Sequence, residues 1–225
     1  SERVKVLNMQ AFSYDPSAYG FSEMVKDWFQ CDDLTVLMEE IDLLTREKDQ
    51  STEAHKLFYA KAAGDLFQDT YKRFITCEVM PIYGEDIVYQ YIPAFRISYP
   101  GNIAVGEFHK DSDYRNAAWS EEVDEDNFFL PLTRSFETNA IWVESSPGSG
   151  EYSPMESDYG ELTMWKGSKL MHGNKINETG KTRVSLDFRV MPMSRYRADD
   201  FYSINSNMKF AIGGYYRRTF EYGNE

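Results

Sequence analysis

Arg183-Val184-Ser185-Leu186-Asp187-Phe188-Arg189-Val190 alternates without interruption, polar or charged at odd positions and apolar at even ones. Successive strand side chains leave opposite faces, so this run predicts a strand over 182–191 with one apolar and one polar face. The apolar face needs a cover. The polar face, with Arg183, Ser185, Asp187 and Arg189, suits the lining of a polar cavity. The same texture extends back to Pro81. Runs rich in Val, Ile, Tyr and Phe predict further strands at 88–99, 103–110, 127–132, 140–144, 162–165 and 169–172. Pro100-Gly101, Pro147-Gly148-Ser149-Gly150, Tyr159-Gly160, Lys166-Gly167 and residues 177–180 supply the breaks. Many short strands joined by Gly and Pro turns read as a jelly roll or a sandwich.

Ahead of Pro81 the periodicity is helical. Residues 21–29 form a short candidate. Asp32 or Asp33 can cap a second helix through Leu34, Val36, Leu37, Ile41, Leu43 and Leu44. A third, long helix is predicted from Glu53 to about Thr76, with Leu57, Phe58, Ala62, Leu66, Phe67, Tyr71 and Phe74 at helical spacing. These stripes read as packing faces laid against a sheet, and His55, near the start of the long helix, as a surface residue. Two connections are unusual. Residues 112–126 are long and acidic, and 145–160 are rich in Ser, Gly and Pro; either suits a lid.

The chain has 225 residues, enough for one domain with a substantial core. We expect a single unit over 1–225: a helical flank (1–80), a jelly-roll core (81–192) and a C-terminal extension (193–225). The net charge of −13 disfavours phosphate backbones and anionic lipid, so neither nucleic acid nor a membrane is an expected partner. A small-molecule substrate is expected, with the protein a monomer or homodimer. Cys31 and Cys77 have no metal-ligand spacing and read as reduced, buried thiols. No stretch approaches the run of about eighteen apolar residues that marks a membrane span, and residues 1–12 do not resemble a signal peptide. A cytoplasmic location is the default expectation.

Of only three histidines, two fall into a pattern. His109 and Asp111 stand two apart, so on a strand their side chains share a face. His172 follows about sixty residues later, with room for strands that return the chain to the same place. Two imidazoles and a carboxylate can occupy one face of an iron(II) ion and leave the opposite face open. Arg183-Val184-Ser185 follows the second histidine closely, and an Arg-x-Ser pair suits a bidentate grip on a carboxylate.

The stretches that carry a resemblance are Val105-Gly106-Glu107-Phe108-His109-Lys110-Asp111-Ser112-Asp113, Phe129-Leu130-Pro131-Leu132-Thr133, Thr138-Asn139-Ala140-Ile141-Trp142-Val143-Glu144, Pro147-Gly148, His172-Gly173-Asn174, Thr182-Arg183-Val184-Ser185-Leu186-Asp187-Phe188-Arg189 and Gly213-Gly214-Tyr215-Tyr216. Over roughly 88–218 the chain resembles the iron(II)/2-oxoglutarate-dependent oxygenases. More narrowly, it resembles their phytanoyl-hydroxylase-like branch and the small oxygenases of aminoglycoside and amino-acid tailoring pathways. The resemblance implies a mainly β protein with flanking N-terminal helices, a double-stranded β-helix of the jelly-roll, cupin-like kind. It implies His109, Asp111 and His172 as iron(II) ligands, Arg183 and Ser185 on the distal carboxylate of the cosubstrate 2-oxoglutarate, and O2 as oxidant. Where one branch of the family has Gly or Ala, this chain has Asp111, so the resemblance points to hydroxylation or a related oxidation and away from halogenation.

Further candidates follow from position. Asn127, Asn139 and Trp142 are strand residues placed to line the cosubstrate pocket. Arg96, on the strand before the motif, could meet a substrate anion or form a buried ion pair. Asp113 shares the face of Asp111 if the strand continues, and could meet an ammonium or hydroxyl group. Arg189 lies on the face of Arg183 but roughly 20 Å further along an extended strand. It could meet a substrate carboxylate if the strand bends, and otherwise forms a salt bridge at the rim. The expected activity is hydroxylation of a small polar metabolite, a free amino acid or an amino-sugar intermediate. The alternatives are a non-catalytic jelly-roll binder of a metal or small ligand, and a jelly-roll metal isomerase.

Overall fold

The computed structural model describes residues 9–105, 107–114 and 124–220. Most of the acidic connection that follows Asp111, one of the two candidate lids, therefore lies outside the described residues.

Among the described residues, ten strands form two antiparallel sheets. The larger is built around β9 (Arg183–Pro192). On one edge of β9 lies β4 (Asp126–Pro131), then β7 (Glu161–Trp165), then β1 (Gln10–Ser13). The other edge is shared end to end by β3 (Ala94–Ser98) and β2 (Ile87–Gln90), with β10 (Tyr216–Arg218) outside β2. The smaller sheet has the order β6 (Tyr152–Pro154), β5 (Ile141–Glu144), β8 (His172–Asn174).

The alternation over 183–190 decides what each face of β9 meets. Val184, Leu186, Phe188 and Val190 are buried in the main core. Phe188 stacks on its register partner Phe128 and takes Tyr71 and Phe74 edge-on. Those two rings come from α3 (Asp65–Phe74), which with α2 (Glu53–Ala62) and α1 (Phe21–Phe29) covers the sheet. Truncating one such ring to alanine costs about 3–5 kcal/mol. The odd positions Arg183, Asp187 and Arg189 line a cavity of about 480 Å³, to which the smaller sheet contributes Ile141, His172 and Asn174. Phe129, Ile141, Val143 and Leu170 form a separate buried cluster.

Several expectations need correction. The helix capped by Asp33 is a single 3-10 turn, Leu34–Val36, whose Thr35 amide donates to the Asp33 carboxylate. It stops because other elements take its polar groups: Thr182 bonds the carbonyls of Thr35 and Leu37, and the Leu44 amide donates to Asn102 Oδ1. Val36, Met38 and Leu43 are exposed. The long helix predicted from Glu53 breaks at Ala63-Gly64 into α2 and α3, where Gly64 is extended (ψ 155°). A π-helical turn, Ile75–Val79, and α4 (Met80–Tyr83) follow. Phe58, Ala62, Phe67, Tyr71 and Phe74 still face inward, but Leu66 does not. His55 is not a surface residue; it is buried, with its ring bonded to the N-cap hydroxyl of Thr52 and set edge-on to Phe95.

The strand expected over 88–99 is divided into β2 and β3 at residues 91–93, where Pro93 has no amide to donate. The strand expected over 103–110 is reduced to one bridge at His109. Residues 145–160 are not all loop, because Tyr152–Pro154 pairs with β5. The strand expected at 169–172 is displaced, since a turn from Lys166 bonds Lys169 and Leu170, and β8 starts at His172. β1 and β10 escape notice because they are short and flank the periodic region. Both cysteines are free, but Cys31 is half-buried and Cys77 exposed. No helix among the described residues is long and apolar enough to cross a membrane.

Candidate metal centre

His109 and His172 exchange both backbone hydrogen bonds, each 2.9 Å, in an isolated antiparallel bridge. Directly opposed residues in such a bridge put their side chains on one side. The two rings accordingly lie 4.5 Å apart, centroid to centroid. Each Nδ1 meets a backbone carbonyl at 2.9 Å, Glu107 for His109 and Leu170 for His172. A carbonyl only accepts, so Nδ1 carries the proton and Nε2 presents its lone pair. Trp165 stands edge-on to His172, with centroids 4.7 Å apart.

Asp111 does not sit on a strand continuing from His109; it opens a 3-10 turn, Asp111–Tyr114. Its amide donates to Gly167 and the Ser112 hydroxyl donates to Ser168, which tie this turn to the segment before β8. The two carboxylate oxygens have different surroundings. Oδ1 faces both imidazoles, 3.5 Å from His109 Nε2 and 3.4 Å from His172 Nε2. Oδ2 accepts from Asn127 Nδ2 at 2.8 Å and pairs with Arg189 Nη2 at 3.0 Å. Asn127 is oriented in turn by the Gly167 amide, which donates to its Oδ1. Burial alone would raise the Asp111 carboxyl; the Arg189 guanidinium beside it outweighs that and holds it well below the usual carboxylate range. An ionised carboxylate therefore presents one oxygen to the two Nε2 atoms. The ligand atoms of the three residues all lie within 4.8 Å of one another, a spacing that could hold a metal ion.

Arg183 is fully buried and lines the same cavity. Its Nε donates to the Asn139 carbonyl at 2.9 Å and its Nη1 to Ser185 Oγ at 2.7 Å. Nη2 is enclosed and finds no acceptor among the described residues. Burial pulls this guanidinium down to about 10, against the opposing field of Asp187. A desolvated guanidinium with an unmet donor is a group that an anion could complete.

The structure brings together His109, Asp111, His172, Asn127, Arg183, Ser185, Arg189 and Arg96, sets Asn139 behind Arg183, and leaves Trp142 and Asp113 outside. Asn127 is in the cavity, but its amide is spent on Asp111. Asn139 holds Arg183 through its carbonyl, while its side chain accepts from the Phe136 amide. Trp142 is not at the cavity; its Nε1 donates to Glu137 and Lys175 covers its ring. Asp113 is exposed and accepts from the Lys110 amide, because the turn at Asp111 ends the face the two would have shared. Arg96 forms the ion pair, with Asp187 at 3.1 Å, on the cavity wall. Arg189 is held by Asp111 and Glu125, inside the site and not at its rim. The carbonyls of Glu107 and Leu170 had no sequence signal. The pairing of Arg189 with Asp111 had only its shared parity on β9.

Fold and site together define an antiparallel β protein with a His–Asp–His cluster that could hold a metal ion. No protein-family model matches the chain. It is 32% identical over 207 residues to the streptomycin biosynthesis protein StrG of Streptomyces griseus, covering 90% of this chain and 94% of StrG. The chain belongs to the family of StrG. Solved structures with distant likeness include EctD from S. alaskensis in its apo form (13% identity, 86% of this chain and 75% of that one, TM-score 0.47). CytC3 with Fe(II) and alpha-ketoglutarate (14%, 84% and 75%, 0.46) and the nickel complex of the non-heme monooxygenase ThoJ (13%, 78% and 81%, 0.45) are similar to about the same degree.

Proposed function

We propose that this protein is an iron(II)/2-oxoglutarate-dependent oxygenase that hydroxylates a C–H bond of a small polar metabolite. One observation carries the reading. Arg183, whose buried Nη2 has no acceptor among the described residues, lines the same cavity as His109, Asp111 and His172, whose ligand atoms converge. A metal isomerase or a passive binder has no use for that second, cationic anchor. On this reading the two sheets form a double-stranded β-helix within one oxygenase domain. A relative named for streptomycin biosynthesis supports an antibiotic-tailoring substrate, and among those we favour an amino-sugar intermediate over a free amino acid.

His109, Asp111 and His172 would hold iron(II), and Arg183 with Ser185 would take the distal carboxylate of 2-oxoglutarate. With O2, that pair supplies oxidising power, converting 2-oxoglutarate to succinate and CO2 as a C–H bond is hydroxylated. The chain does the rest. Glu107 and Leu170 fix the histidine tautomers. Asn127 and Arg189 occupy Oδ2 of Asp111, leaving Oδ1 for the metal. The cavity walls fix which C–H bond is presented, and that placement sets selectivity.

The test is succinate release from 2-oxoglutarate with iron(II) and ascorbate, over a panel of amino sugars and amino acids. The wild type is expected to release succinate and His109→Ala to fall to background. Equal rates for the two proteins would refute the assignment.

A further inference from the structure

One group on the cavity face of β9 is left over by this reading. Asp187 lies between Ser185 and Arg189 on that face and lines the cavity. Its Oδ2 accepts from Arg96 Nε at 3.1 Å. Its Oδ1 is enclosed and finds no donor among the described residues. A desolvated anionic acceptor without a donor is unfavourable, and one on a cavity wall is completed by what enters the cavity.

Arg183 also lies in the field of Asp187, and on the oxygenase reading 2-oxoglutarate takes that cation; the remaining charges give the sign of the missing partner. Arg96 is already neutralised by Asp187, and Asp49, on the turn before α2, adds a second carboxylate field at the same guanidinium. A substrate anion would gain little there and would crowd Asp187. The unmet capacity on this wall is an acceptor's, so it calls for a donor. Elsewhere the cavity wall is mixed: apolar groups such as Phe128, Trp165 and Met208 stand beside neutral hydrogen-bonding ones, among them Gln50, Tyr59, Gln90 and Asn205. Amides and hydroxyls of this kind suit a polyhydroxylated ring.

We propose that Asp187 is a specificity-determining residue, and that its Oδ1 receives an N–H of a protonated amine carried by a polyhydroxylated substrate. This rests on the oxygenase reading and goes beyond it by setting the sign of the substrate's charge at one wall. It also revises the part foreseen for Arg96, which holds Asp187 in place and does not draw a substrate anion.

The test is anaerobic calorimetry on protein loaded with iron(II) and 2-oxoglutarate. The probes are D-glucosamine, N-acetyl-D-glucosamine and D-glucose 6-phosphate. A charge-assisted hydrogen bond predicts that glucosamine binds at least about tenfold more tightly than the other two. Asp187→Asn is expected to erase that preference. Should this variant fail to fold, the comparison among probes on the wild type decides alone. No binding of glucosamine, equal affinities, or tighter binding of the phosphate would overturn the proposal. The charge-transfer absorption of iron(II) with 2-oxoglutarate, read on the same sample, separates the two failures. If it is absent, the oxygenase reading falls; if it is present without the amine preference, only the role of Asp187 falls.

Discussion

His109 and His172, far apart in sequence, form a two-residue antiparallel bridge whose imidazoles share one side. Gly173 lies against this bridge. A Cβ at Gly173 would come within 2.7 Å of the Phe108 ring and 3.0 Å of the Phe108 Cα. The ring can swing away; the backbone atom next to His109 cannot move without shifting the bridge. Gly173→Ala is therefore expected to weaken metal affinity several-fold while far-ultraviolet circular dichroism stays that of the wild type. Unchanged affinity, measured by competition with a chromogenic chelator, would show that the bridge tolerates the shift.

Asn127 reaches Asp111 with one end of its amide and the Gly167 amide with the other. Removing a partner that orients a metal ligand commonly costs about 10–100-fold in metal affinity. We expect Asn127→Ala to fall in that range, and to lower unfolding free energy by about 1–3 kcal/mol because the Gly167 amide loses its buried acceptor. A variant with wild-type iron affinity would mean that Arg189 alone suffices to orient Asp111.

His55 predicts a pH dependence separate from the metal. Burial depresses its imidazolium from 6.5 to about 4. Between those values the unfolded chain takes up a proton that the folded chain refuses. Stability is thus complete above pH 6.5 and is lost as pH falls toward 4, by about 3 kcal/mol in all. Urea unfolding of the metal-free protein at several pH values reads this slope. His55→Phe, which keeps a ring against Phe95, should flatten it; an equal slope in both proteins would place the titrating group elsewhere.

Much of this architecture was legible in the chain. The alternation of 183–190 set β9 and both of its faces, because burial on one side and a polar cavity on the other act on every residue of a long central strand. His109, Asp111, His172, Arg183 and Ser185 could be singled out by residue type, and the first three converge in space while Arg183 bonds Ser185 in the same cavity wall. What was illegible depended on partners distant in sequence. The segment after Asp33 carries helical spacing, yet Thr182 and Asn102 take the backbone groups a helix would need. Asp111 and Asp113 have strand spacing, yet a 3-10 turn separates their faces. His55 reads as exposed until the aromatic layer of α2 and β3 closes over it. Trp142 has the right strand and the wrong face.

The most direct measurement is an anaerobic titration of the protein with iron(II) and then 2-oxoglutarate, following bound metal and the charge-transfer absorption. The wild type should take up one iron and one 2-oxoglutarate per chain. His172→Ala should lose both. Arg183→Lys should keep iron but bind 2-oxoglutarate at least about tenfold more weakly, because an ammonium cannot reproduce the fork of donors. Undiminished iron binding by His172→Ala, or undiminished 2-oxoglutarate binding by Arg183→Lys, would contradict the account.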